Sequence, residues 1–199
     1  MSNHFQQLID SFWDKTLLKL IPKNLTPNHL TLVRLVLIPV ILYWLMTNQL
    51  IWALIFFVLA ALTDSLDGSL ARKRKQISKW GLILDPLADK LLIILSALFM
   101  ILYYPYLKII LGVIIIDALI ILESVAFMLL KRELKVPPAN WLGKSKMVFQ
   151  VFGLFLTILY LLFDSLVALQ LSVIFFYLVI IIGVFNLVNY ALRSLKMFK

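Results

Sequence analysis

Cysteine is absent from the 199-residue chain, and histidine occurs only as His4 and His29. Disulfides and thiolate metal sites are thereby excluded, and two lone imidazoles cannot assemble a zinc site, so any metal must be held by oxygen. Charge is scarce as well, at 15% of residues, where soluble globular domains carry about 25%. No G-x-x-x-x-G-K-S/T run is present, which removes support for a P-loop ATPase. The alternating pattern of membrane barrel strands is missing too. No charged n-region leads to a small-residue cleavage site, so the N-terminal segment is expected to be retained. Neither internal repeats nor low-complexity stretches divide the chain, and a single domain over residues 1–199 is expected.

What is abundant is apolar surface. Hydrophobic residues make up 63% of the chain, with a mean hydropathy of +1.00. These values, with apolar runs long enough for helices of about 20 residues, indicate an all-α integral membrane protein. Six transmembrane helices are expected at about 28–47, 50–72, 80–104, 107–131, 146–163 and 168–191, forming a core over 28–191. Ahead of them, residues 1–23 place Phe5, Leu8, Ile9, Phe12 and Trp13 near helical spacing between polar residues, the pattern of an amphipathic helix lying in the interface. An ordinary helix packed on the domain fits that pattern equally. Thr26 is the expected cap of the first span, just before Pro27.

The connections alternate in charge. Lys15, Lys19 and Lys23, then Arg72 to Lys75 with Lys79, then Lys131, Arg132, Lys135, Lys144 and Lys146, then Arg193, Lys196 and Lys199 fall on one side. The turns near Asn48, Tyr103 to Leu107 and Asp164 offer only Lys108 on the other. The positive-inside rule places both termini in the cytoplasm, as in a bacterial inner membrane protein. The net charge of +9 is mostly this topology signal, with attraction to anionic membrane lipids added, and gives no reason to expect a nucleic-acid partner.

Against this background, four of the ten acidic residues fall within 26 positions: Asp64, Asp67, Asp85 and Asp89, in the frame D-x2-D-G-x2-A-R-x8-G-x3-D-x3-D. A carboxylate within a membrane helix costs roughly 2.5–3.5 kcal/mol, so the set costs on the order of 10 kcal/mol unless cations or water compensate. On a helix, Asp64, Asp67, Gly68 and Ala71 share one face, with room beside the small residues for a bulky ligand. Gly81, Asp85 and Asp89 share a face of the next helix, which Pro86 is expected to kink. The short turn from Lys73 to Trp80 would bring both faces together near the cytoplasmic headgroups. Four such carboxylates either take up protons or bind hard cations, and they suit two Mg2+ or Mn2+ ions clamping a diphosphate. One could instead act as general base. Arg72 is placed to grip a phosphate. Intramembrane carboxylates also serve cation transporters, usually at the bilayer midplane and in repeated halves, neither of which is expected here.

The stretch from Asp64 to Arg72, followed after eight residues by Gly81 to Lys90, resembles the signature of the CDP-alcohol phosphatidyltransferases. The resemblance implies that Asp64, Asp67 and Asp85 bind two divalent metals, with Asp89 adjoining them as the catalytic base. It implies that Asp64, Gly68, Ala71, Arg72 and Gly81 shape the CDP site, that an acceptor hydroxyl attacks the lipid-linked phosphorus with release of CMP, and that the protein is a homodimer.

Leu84 to Lys90, Thr26-Pro27-Asn28 with Thr31 and Arg34, and Trp141 to Lys146 look most like the subgroup that joins CDP-diacylglycerol to glycerol 3-phosphate. The acceptor's phosphate then calls for a basic pocket, for which Thr31, Arg34, Lys144 and Lys146 are the candidates. Arg34 equally fits a snorkelling side chain, and the two lysines fit the positive-inside rule alone. The fourth span departs from the subgroup: where an arginine followed by an acid is usual, this chain reads Ile115-Ile116-Asp117-Ala118. Cardiolipin synthases that use phosphatidylglycerol as acceptor share much of the pattern and are the alternative. Asp117 and Glu123 receive no catalytic role.

Overall fold

The computed structural model describes residues 26–74, 81–104, 107–131 and 141–197. Among them it contains six helices and no strand: α1 (Pro27–Met46), α2 (Leu50–Arg74), α3 (Gly81–Tyr103), α4 (Ile109–Lys131), α5 (Trp141–Phe163) and α6 (Leu166–Met197). The expected interfacial helix at 1–23, most of the turn before α3 and the loop with Pro137 and Pro138 lie outside the described residues. Among the described residues, three helical stretches are long and apolar enough to cross a membrane: Asn28–Met46, Ser145–Phe163 and Leu166–Asn189. Among the described residues, Leu50–Asp64 of α2 and Ile109–Leu122 of α4 are shorter apolar stretches. The described residues are helical apart from their turns, and the apolar helices make the chain an integral membrane protein.

Two compact units divide within α3, between Ser96 and Ala97. In the first, α1 starts at Thr26, whose extended backbone (φ −93°, ψ 159°) precedes Pro27 and whose N–H donates to His29 Nδ1 at 3.1 Å. The cap is therefore where the sequence placed it, and His29 has a structural use. Thr31, Arg34, Ile38, Ile41 and Leu45 are buried along α1, while Leu32, Val33, Val36, Tyr43 and Met46 are exposed. Steps of three and four residues put the buried set on one seam. On α2, Ala53, Phe57, Ala60 and Asp67 repeat that spacing in buried positions, and α1 packs on α2. Each seam is apolar near the connecting turn and polar at its far end. The turn itself is tight: Asn48 takes a left-handed conformation (φ 56°), Asn48 N donates to Leu45 O at 3.1 Å, and Gln49 N donates to Trp44 O at 2.9 Å.

In the second unit, α6 packs against both α4 and α5. Small residues set the approach. A Cβ at Gly183 of α6 would run into Ile116 Cγ2 of α4, and one at Gly153 of α5 would lie 2.7 Å from Phe176 Cε1 of α6. Association by close van der Waals fit is the general rule where lipid supplies no hydrophobic drive between helices. The outer faces carry Leu171, Ile174, Leu178, Ile181, Phe185 and Val188, as a lipid-facing surface requires. Helix α5 starts at Trp141, five residues before the expected span, because Trp141 to Ser145 continue the helix beyond the apolar run.

Candidate active site

The polar ends of the two seams meet. Arg34, fully buried on α1, directs Nη2 at Asp67 Oδ2 of α2 (2.5 Å) and Nη1 at Asp64 Oδ1 of α2 (3.2 Å). The same Nη1 donates to Asp89 Oδ1 of α3. One guanidinium thus gathers three of the four aspartates of the frame, and its planar fork suits carboxylates on two helices. Side-chain exposure grades from 5% at Asp67 through 16% at Asp89 to 48% at Asp64, so the cluster has a closed end and an open one.

Helical periodicity explains the convergence. Asp67 continues the Ala53, Phe57 and Ala60 seam, Asp64 lies one turn before it, and Asp89 follows the fully buried Ala88. Thr31 is buried one turn before Arg34 on the same seam. Gly68, Ala71 and Arg72 lie in α2, and Gly81 and Asp85 in α3, whose Gly81–Tyr103 range includes Pro86. The side chains of Ala71, Arg72, Asp85 and Lys144 lie outside the described part.

The donor set fits a hard divalent cation. Asp64, Asp67 and Asp89 present carboxylate oxygens, the ligands that Mg2+ and Mn2+ prefer, toward one cation-bearing group. Among the described residues no three acidic, histidine or cysteine side chains already close on one metal position. The Arg34 guanidinium pairs with all three of them.

A second polar cluster belongs to the other unit. Lys146 of α5, a candidate for the acceptor's phosphate, donates its Nζ to Asp117 Oδ1 of α4, and Gln150 donates its Nε2 to Asp117 Oδ2. Asp117 has no arginine beside it in sequence, yet its counter-charge arrives from the next helix. Gln150 was not among the expected functional residues; its signal was its place one turn after Lys146, on the same face of an otherwise apolar helix.

The sequence profile of the CDP-alcohol phosphatidyltransferases matches residues 24–186, which take in both clusters. A protein of Wigglesworthia glossinidia brevipalpis, named CDP-diacylglycerol–glycerol-3-phosphate 3-phosphatidyltransferase, is 41% identical over 81 residues, 39% of this chain and 44% of its own. A protein of the same name from Aquifex aeolicus is 46% identical over 72 residues, covering 36% of this chain and 40% of its own. The match thus spans less than half the length of either relative. A third so named, from Pectobacterium atrosepticum, is 36% identical over 142 residues, or 65% of this chain and 74% of its own. With the profile covering most of its length and the three aspartates gathered from two helices, the chain belongs to the CDP-alcohol phosphatidyltransferase family.

Proposed function

We propose that the protein transfers the phosphatidyl group of CDP-diacylglycerol to a hydroxyl of glycerol 3-phosphate, giving phosphatidylglycerophosphate and CMP in phospholipid biosynthesis. The observation that carries this reading is the convergence of Asp64, Asp67 and Asp89 on one buried position, within the signature frame. The names of the relatives supply the acceptor.

The reaction is a displacement at phosphorus. The acceptor's hydroxyl oxygen bonds to the phosphorus that carries diacylglycerol, and the bond from that phosphorus to the oxygen bridging to CMP breaks. CMP leaves with the electron pair, and the hydroxyl proton passes to the Asp89 carboxylate. Asp64, Asp67, Asp85 and Asp89 are the residues that would hold two divalent ions, Mg2+ or Mn2+, whose charge offsets that of the diphosphate and of the departing phosphoryl oxygen. Gly68, Ala71 and Gly81 leave room for the nucleotide, and Arg72 binds its phosphate. Both termini and the site face the cytoplasm in this reading, six helices cross the membrane behind an interfacial N-terminal helix, and the protein is a homodimer.

One observation favours a second acceptor. Arg34 and Lys146, two of the basic candidates for the phosphate of glycerol 3-phosphate, are already paired with aspartates. Phosphatidylglycerol, whose attacking end is an uncharged glycerol, would make no such demand, and the protein would then be a cardiolipin synthase. Purified protein with CDP-diacylglycerol and Mg2+ decides between them. CMP release with glycerol 3-phosphate supports the first reading, and release with phosphatidylglycerol alone supports the second. No release with either acceptor would refute both.

A further inference from the structure

We propose that Arg34 is a resident counter-cation of the aspartate cluster, which competes with divalent metal for the same carboxylates and must withdraw before the metal is seated. The inference takes from the proposed function only the class of ligand, a hard divalent cation.

The geometry is that of an occupied seat. Arg34 is fully buried, its Nη1 faces oxygens of Asp64 and Asp89, and its Nη2 faces Asp67. Carboxylates from two helices therefore point at one guanidinium, where a metal sharing their oxygens would have to sit. Metal bonds of about 2.0–2.1 Å leave no space for a second cation between ligand and ion. The arrangement is also incomplete as an arginine site. Arg34 Nε is buried without a hydrogen-bond acceptor, so one of the five guanidinium donors is unsatisfied in its fully buried state. Across these four side chains, three carboxyl groups share a single positive charge, a donor set that a divalent ion would match better.

Two consequences follow by linkage. The arginine lowers the metal affinity of the free protein, and the metal weakens the arginine's hold on the carboxylates by the same factor. It also spares the metal-free protein the cost of three uncompensated carboxylates among apolar helices. Arg34 is thus a positioning residue for the aspartate cluster and a competitor of the metal, distinct from a residue that grips the acceptor.

The test is Mn2+ binding to the purified full-length protein in detergent, without nucleotide or acceptor, read by electron paramagnetic resonance of free Mn2+. Arg34→Gln should bind Mn2+ more tightly than the wild type, by a factor within about 5–150. Arg34→Lys, which keeps a charge but loses the fork, should fall between the two. Chelation by EDTA should lower the melting temperature of Arg34→Gln further than that of the wild type, with recovery on adding Mg2+. If Arg34→Gln does not fold, Arg34→Lys carries the test alone. Unchanged or weaker Mn2+ binding in the variant that folds would overturn the proposal, as would an equal loss of melting temperature on chelation. Because neither readout involves turnover, a failed acceptor screen would refute the proposed reaction and leave the order of Mn2+ affinities to judge Arg34 on its own.

Discussion

Lys146 on α5 places its ammonium on Asp117 of α4, and the pair is nearly buried, at 7% and 15% side-chain exposure. Gln150 donates to the other oxygen of the same carboxylate, so Asp117 is satisfied on both sides by one helix. Removing one partner of such a pair strands a charge among apolar helices. Asp117→Asn and Lys146→Met should each cost about 3–5 kcal/mol of stability, and the double variant should lose clearly less than their sum. Denaturant unfolding in detergent measures the cycle, and strictly additive losses would show that the two residues are not coupled.

Asp89 is reached by Arg34 from another helix and is less exposed than Asp64. As a proton acceptor, it is needed in the displacement and less so in nucleotide binding. Asp89→Asn should lower CMP release by about 10²–10⁴-fold and leave most of the affinity for CDP, measured by calorimetry in the presence of Mg2+. A parallel loss of Mn2+ and CDP binding would instead make Asp89 chiefly a metal ligand.

Much of this arrangement could be read from residue order. The spacing of Asp64, Asp67 and Asp89 located the cluster, Thr26 before Pro27 located the start of α1, and the turns at Asn48 and Asp164 fell where apolar runs end. The partners were harder to foresee. Arg34 reads in sequence as a phosphate ligand or a snorkelling side chain, and its aspartate partners follow from the seam it shares with Thr31, Ile38 and Ile41, a long-range packing fact. Likewise, the charge facing Asp117 comes from 29 residues away, where no neighbouring-residue pattern reports it. Apolar length is a partial guide to spans, since α2 runs on past Asp64 and Asp67 to Arg74.

Gly183 brings α6 against α4 at Ile116. Gly183→Ala would drive a methyl into Ile116 Cγ2, and overpacking of this kind costs about 1–3 kcal/mol. Ile116→Ala in the same chain should recover part of the loss. Gly143 is the control: nothing lies within 4 Å of an added Cβ there, so Gly143→Ala should be neutral, or stabilising by up to about 1 kcal/mol through helix propensity. Melting temperatures of the three variants and the wild type give the order. Equal effects at Gly143 and Gly183 would contradict the close approach.

Asn48 holds the turn between α1 and α2 at φ 56°, a conformation that asparagine and glycine tolerate and β-branched residues do not. Asn48→Gly should change stability little, whereas Asn48→Val should cost about 1–2 kcal/mol. Both substitutions lie at the opposite end of the α1 and α2 seams from the aspartates, so neither should alter the apparent affinity for Mn2+.

The cluster can also be tested by removing the ion. Its described anionic donors are all carboxylates, and the chain has no thiol, so the site should take hard cations in preference to soft ones. EDTA should abolish CMP release, and Mg2+ or Mn2+ should restore it. Asp64→Asn and Asp67→Asn should weaken Mn2+ binding and turnover together, because each removes a ligand charge. Asp67 is the more buried of the two and bonds Arg34 at 2.5 Å, so its replacement should also destabilise the metal-free protein more than that of the half-exposed Asp64. Turnover that survives exhaustive chelation would rule out a metal role for these carboxylates.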